Sequence, residues 1–422
     1  MIMSGWLSAV LPVLPLATMS VEAVRAAAVR AGATGPIVRA APDPERVAAA
    51  FGSERLFRDG DGGADAFAPL SGFFPTRDGW VRTHANYPHH RDRLLRLLGL
   101  PDAADRETVA KAIEARPAAE LEDLASAAGA LAVRVRTEAE WRASEPGAAA
   151  AVGPLVRRVD RDDVDRADAA ARTLTGGALP LAGVRVLDLT RVLAGPVCGR
   201  TLALLGADVL RLDPPVPAEI AWQQLDTGQG KRTAILDLRT DLARAQELLD
   251  AADVLVTGYR PGAIEAFGLR PPPGLIRARV NAWGDTGPWA GRRGFDSIVQ
   301  AASGIALLES ADGATPGALP AQALDHATGY LLAASIIDAL VDRAADGRGR
   351  DLAAALARTA AWLLDRPGRE PDHPAASVPT ARSAVTHGTR TTARPALPGF
   401  DDYPFPAHPW GSDQAAFGEP RP

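Results

Sequence analysis

The stretch from Leu181 to Asp213, LAGVRVLDLTRVLAGPVCGRTLALLGADVLRLD, constrains this chain more than any other. Val184, Val186, Leu187 and Leu189 form a short apolar run of the kind buried on both faces of a parallel sheet, and Val209, Leu210 and Leu212 form a second. Between them Gly195-Pro196 marks a helix start, since proline suits a first helical turn, and Gly206 marks its left-handed stop. Strand, tight turn, helix and strand make one βαβ unit. In open α/β sheets a ligand lies beyond the carboxyl ends of the strands, so Thr190, Arg191, Val192, Leu193 and Ala194 stand where one would be met. A crossover that binds nothing needs the same turn, and the unit alone leaves both readings open.

A length of 422 residues exceeds what one hydrophobic core usually organises, so two domains are expected. The basic residues are arginine except for Lys111 and Lys231, which makes any single arginine weak as a signal. A net charge of -5 without a long basic run argues against nucleic acid or an anionic membrane as partner. The single cysteine, Cys198, excludes an intrachain disulfide and reads as a small core residue. The apolar start, MIMSGWLSAVLPVLPLATMS, lacks a basic leader region and is interrupted by Pro12 and Pro15, and no stretch approaches the ~20 apolar residues of a membrane span, so a cytoplasmic protein is expected.

Helical patterning over residues 21–32 places a helical lead-in at residues 1–40. Residues 41–150 read as a small α+β unit: a helix at 43–51, a flexible loop at Gly60, Gly62 and Gly63, two strands around a turn at 76–79, helices at 89–98, 106–116 and 118–129, and a strand from Val133. Residues 151–180 are charged, end in Gly176-Gly177 and read as a linker. From 181 to 366 an α/β pattern predicts an open parallel sheet of Rossmann type with flanking helices: strands at 233–238, 254–258 and 276–282, a helix begun by Pro261, and helices at 296–308, 325–344 and 352–365. Residues 367–422, rich in Pro, Arg and His, read as an extended arm.

The turn after the first strand lacks the Gly-x-Gly-x-x-Gly of dinucleotide enzymes, and Pro196 removes a donor there, which disfavours a nicotinamide cofactor. In Gly228-Gln229-Gly230-Lys231-Arg232, two glycines and two cations suit a phosphate, although an exposed turn with solvated charges fits equally. Tyr259-Arg260, after a buried strand, offers a ring and a guanidinium for a nucleotide. Asp325 precedes a long apolar helix, with Gly329 one turn on to allow close packing. Aspartate is a favoured N-cap, the commoner role on local grounds, and a helix N-terminus also keeps a carboxylate ionised and nucleophilic.

Six segments, GVRVLDLTRVLAGPVCGRTLALLGADVLRLD, GKRTAILDL, ADVLVTGYRPGAIEAFGL, NAWGDTGPW, GFDSIVQAASG and LDHATGYLLA, resemble in order the class III CoA-transferases, whose fold also includes the α-methylacyl-CoA racemases. The resemblance implies that Asp325 is the nucleophile and passes through an acyl-aspartyl anhydride to an aspartyl-CoA thioester. It further implies that Arg191, Val192 and Leu193 line the CoA site, with Gly258, Tyr259 and Asn281 near the pantetheine and adenosine. Coenzyme A and acyl-CoA are then substrates, with no permanent cofactor and no metal, and the assembly is a homodimer. The racemases carry a histidine where this chain has Phe295, so transfer is preferred. A racemase or isomerase of the same fold and a catalytically silent CoA-binding homologue are the alternatives. The family's small domain follows its large one, whereas here the segment resembling it, FAPLSGFFPTRDGWVRTHANYPHHRDRLLRLLG, comes first.

Overall fold

The computed structural model describes residues 5–164, 174–259 and 262–418. Seven strands form the main sheet: β1 (Val156–Val164), β2 (Arg185–Leu189), β3 (Asp208–Asp213), β4 (Arg232–Ile235), β5 (Val254–Thr257), β6 (Ile276–Asn281) and β7 (Arg348–Ala355). Their order is β1-β7-β6-β5-β2-β3-β4, parallel throughout except for β1, which runs antiparallel to β7 at one edge. From β2 the chain winds outward through β3 to β4, then returns to β5 and winds the other way through β6 to β7. The direction reverses between β2 and β5, and a sheet of this kind opens its ligand crevice at such a reversal.

The helices that shape the site are α1 (Val13–Arg30), α2 (Pro44–Phe51), α3 (Pro88–Leu98), α4 (Ala194–Leu204), α5 (Asp296–Ser303), α6 (Ala323–Asp346) and α7 (Leu356–Leu364). Proline limits where several of them can begin: Pro12 caps α1, Pro44 and Pro88 occupy first turns, and the Asp43 carboxylate accepts the Arg46 amide at 3.0 Å to cap α2. Helix α6 runs through the main core with α1 and α4 packed along it. Contrary to the sequence expectation, α6 is long and apolar enough to cross a membrane, and 83% of its most apolar window is buried inside the protein. The small α+β unit contains the hairpin Gly72–Thr76 and Gly79–Thr83, joined by Ala132–Arg134, and has an apolar core of its own around Phe74, Leu94, Leu95 and Val109.

Four stretches differ from the sequence reading. Residues 156–164, expected within a linker, form β1, whose mostly exposed, charge-rich face suits a sheet edge. Residues 352–355, expected as the start of a helix, belong to β7, because β6 offers an unpaired edge that outweighs alanine's helical preference. Beyond 366 the chain bridges Trp6 at Ser377, forms a hairpin, Ala384–His387 with Arg390–Ala393, that pairs with Arg58–Asp59, and then bridges Ala234 of β4 at Ser412. The helix expected from Pro261 is, within the described residues, a single 3-10 turn, Glu265–Phe267; Pro261 itself and residues 165–173 of the expected linker lie outside them.

Candidate active site

A cavity of about 570 Å³ runs along the carboxyl ends of the central strands, lined in sheet order by Asp237 after β4, Leu212 of β3, Leu189 and Arg191 at β2, Gly258 and Tyr259 after β5, and Asn281 of β6. Four inter-strand steps of about 4.8 Å separate the first of these strands from the last, so the cavity suits an extended molecule lying across the sheet. Asp325 is in the wall of the same cavity.

The position of Asp325 within α6 decides what its carboxyl group can do. The helix begins at Ala323, and its N-cap, Gln322, makes no side-chain cap bond. The cap is supplied from α5 instead: Asp296 Oδ2 accepts the Asp325 amide at 2.9 Å, Oδ1 accepts Gln300 Nε2 at 2.5 Å, and the carboxyl group also serves the Leu324 amide. Asp325 is therefore not a cap. Its carboxyl group makes no hydrogen bond among the described residues, and the residue is 7% exposed. Burial, followed by the charge of Asp296, pushes its pKa well above the usual carboxylate range. Asp296, fully buried but supplied with three donors, is raised to about 6.

The amino end of a second helix reaches the same corner. Leu193, Ala194 and Gly195, at the start of α4, line the cavity with Asp325. Two glycines allow it: a Cβ on Gly329 would sit 2.4 Å from the Ala194 carbonyl oxygen, and one on Gly195 would sit 2.2 Å from the Thr190 side chain. The first turns of α4 and α6 thus border the same part of the cavity. Val192, in the turn before α4, holds φ +71°, a left-handed conformation that a β-branched residue adopts only under constraint; the Glu219 carboxylate accepts its amide at 3.2 Å.

The wall opposite the strand ends comes from the small α+β unit. Tyr87, His89 and His90, at the start of α3, line the cavity. The Tyr87 hydroxyl donates to Glu219 at 2.5 Å, and the Arg191 guanidinium lies 5.2 Å from the centre of the Tyr87 ring. Glu219 is held down at about 2, burial being outweighed by Arg211 and Arg191. Phe295 also lines the cavity, with His84 stacked on it at 3.8 Å and His90 edge-on at 5.7 Å.

The model of CoA-transferase family III matches residues 45–173 and 181–389, which is most of the chain and takes in both units that wall the cavity. The chain belongs to CoA-transferase family III. It is 36% identical over 191 residues to a probable fatty acyl-CoA transferase of Mycobacterium tuberculosis, covering 40% of this chain and 48% of that protein. It is 35% identical over 205 residues to the beta subunit of a succinyl-CoA–L-malate CoA-transferase of Chloroflexus aurantiacus, covering 43% of this chain and 50% of that one. A crystal structure of a CAIB/BAIF family protein from Brucella suis aligns with a TM-score of 0.41 and 31% identity over 44% of this chain and 55% of that one. The chain spans about half the length of the curated relatives it matches.

In this family III chain, Asp325, Arg191, Val192, Leu193, Gly258, Tyr259 and Asn281 all lie in the wall of the one cavity. Lys231 does not. It is buried beneath α4, where its ammonium donates to Asp188 Oδ2 at 3.3 Å and to the Pro196 carbonyl at 3.2 Å, and burial lowers its pKa to about 8. The phosphate-cradle expectation for Lys231 is corrected: the ammonium ties α4 to the sheet. Arg260 lies outside the described residues. Gly60, Gly62 and Gly63, expected as a flexible loop, form a tight turn whose strands pair beside Arg390 and Thr391, and they do not line the cavity. Sequence reasoning missed Tyr87, His89 and His90; two adjacent histidines directly after Tyr-Pro at a helix start were the available signal. The N-cap role, the commoner one for Asp325 on local grounds, falls to Asp296 in the structure.

Proposed function

We propose that this chain transfers CoA between carboxylic acids, with Asp325 as the nucleophile and acyl-CoA and a free acid as substrates. The observation that carries the reading is a buried carboxyl group without hydrogen-bond partners among the described residues, in the wall of a long cavity that the start of α4 also lines. The Asp325 carboxylate attacks the thioester carbonyl carbon; the C–S bond breaks, leaving an acyl-aspartyl anhydride and CoA thiolate. The thiolate attacks the aspartyl carbonyl, the anhydride C–O bond breaks, and the donor acid leaves as a carboxylate while Asp325 holds CoA as a thioester. The acceptor carboxylate repeats both steps in reverse and returns Asp325 as a free carboxylate. No net proton or electron is consumed, and the free energy of the thioester is conserved.

The starts of α4 and α6 would stabilise the oxyanion formed at each attack, where fixed dipoles act strongly because water is excluded. Arg191 would meet a CoA phosphate, Tyr259 would stack on the adenosine, and Val192, Leu193, Gly258 and Asn281 would flank the thiol arm. Phe295 presents a hydrocarbon ring where racemisation needs a second base, which supports transfer. The names of the Mycobacterium and Chloroflexus relatives, both CoA-transferases, agree in reaction type. Asp325→Ala is expected to lower acyl-CoA:acid exchange by at least ~10³-fold, as loss of a nucleophile does, with CoA binding retained in calorimetry. Exchange that persists in this variant would overturn the proposal.

A further inference from the structure

Resting on the CoA-transfer reading, we propose that Glu219 is a positioning residue: its carboxylate holds the Arg191-Val192 turn in the one backbone shape that receives CoA, and docks the small α+β unit beside it. Glu219 does not line the cavity, so it acts only through what it holds.

The Glu219 side chain is 1% exposed. Oε2 accepts the Val192 amide at 3.2 Å and Arg211 Nη2 at 2.7 Å, while Oε1 accepts the Tyr87 hydroxyl at 2.5 Å and the Ile220 amide at 2.9 Å. Four donors occupy the four lone-pair positions of an ionised carboxylate. Burial works against that charge, and Arg211 and Arg191 outweigh it. The carboxylate is thus an acceptor-only node joining β3 through Arg211, the small unit through Tyr87, and the turn between β2 and α4 through Val192.

The hold matters because Val192 is strained. Its φ of +71° crowds a β-branched side chain, and only one other non-glycine residue among those described, Leu7, has a positive φ. Such a conformation persists only where its surroundings impose it, so a valine released from Glu219 returns to negative φ. That return rotates the peptide groups on either side of Val192. Arg191 precedes it and Leu193 and Ala194 follow it, and all four residues line the cavity. The Arg191 guanidinium is tied to the Ala218 carbonyl at 2.7 Å, so neighbouring residues of one loop grip both halves of the turn. That loop is itself stiff, with proline at three of the five positions after Asp213.

A double-mutant cycle tests this, because glycine adopts φ +71° without strain. CoA binding is measured by calorimetry, and thermal melts are recorded, for Glu219→Gln, the milder Glu219→Asp and Tyr87→Phe, and for both Glu219 changes again in a Val192→Gly background. Glu219→Gln sets an amide NH2 against donors and is expected to weaken CoA by about 10-fold or more, the scale of a hydrogen bond to a charged group. Glu219→Asp, which keeps the charge but draws it back from the turn, is expected to fold and to show a smaller loss. In the Val192→Gly background most of both losses is expected to vanish. Equal losses in the two backgrounds overturn the inference, since the carboxylate then does not act through the turn. A Tyr87→Phe loss as large as that of Glu219→Gln overturns it in favour of unit docking alone. A wild type that binds no CoA defeats the CoA-transfer reading; the melts then still decide whether Glu219 holds the turn, by whether its replacement destabilises the chain more with valine at 192 than with glycine.

Discussion

Asp296 and Asp325 share one buried corner, yet only Asp296 is given donors, from Gln300 and the first turn of α6. The unsupported Asp325 therefore holds a proton at pH values where an ordinary carboxyl is ionised. The nucleophile proposed at Asp325 must be ionised, so kcat is expected to rise with pH along a limb centred well above the ~4 of a free carboxyl group. Asp296→Asn keeps an acceptor for the two amides and removes the neighbouring charge, so the limb is expected to move to lower pH; a limb that stays in place would show that Asp296 does not set the titration. The same shift has a consequence for stability. A carboxyl group with a raised folded-state pKa favours the folded chain while protonated, and that contribution is lost as pH rises from the unfolded value through the folded one. Asp325→Asn is expected to melt higher than the wild type above neutral pH and to converge with it under acidic conditions, which calorimetry at several pH values measures.

At the scale of elements, the crossing of α4 over α6 fixes where Asp325 points. Gly329→Ala would push a methyl group to 2.4 Å from the Ala194 carbonyl oxygen and to 3.1 Å from the Val197 side chain. The expected cost is about 1–3 kcal/mol of stability together with reduced exchange, as for overpacking elsewhere, read from denaturant melts. An unchanged midpoint would mean that the crossing adjusts freely. This part of the fold was legible in the sequence: the β2–α4–β3 unit, the Gly195-Pro196 start and the small residue at 329 each have a local cause. The strands β1 and β7 were not, because each exists only through its partner. The arginines and aspartates crowded into 157–163 look like a solvated linker until β7 lies alongside, and the alanines of β7 favour a helix until β6 offers its edge. The site divides the same way. Asp325 and the strand-end residues could be placed from one stretch of chain each, whereas the cap from Asp296 and the wall from His90 bring together residues that lie far apart in sequence.

Over the whole molecule, the two walls of the cavity come from segments some 130 residues apart that the Tyr87 hydroxyl joins to Glu219. The last described stretch guards the open edge of the sheet. Trp410 donates its indole N–H to Asp213 at 3.0 Å, the Asp413 carboxylate accepts the Thr233 amide at 2.8 Å, and the Gly418 amide donates to Asp208 at 2.8 Å. Removing residues 400–422 would strip these bonds, worth about 0.5–1.5 kcal/mol apiece, and uncover an edge strand. A lower melting temperature and concentration-dependent association in light scattering are expected; a truncated chain that melts like the intact one and stays monodisperse would show that the edge needs no cover. Trapping the covalent intermediate proposed at Asp325 tests the central claim most directly. The intact chain is incubated with acyl-CoA, quenched with hydroxylamine, and its peptides are examined by mass spectrometry. A hydroxamate on Asp325 in the wild type and none in Asp325→Ala is the expected result; exchange that proceeds with no hydroxamate, or with one on another residue, would contradict it.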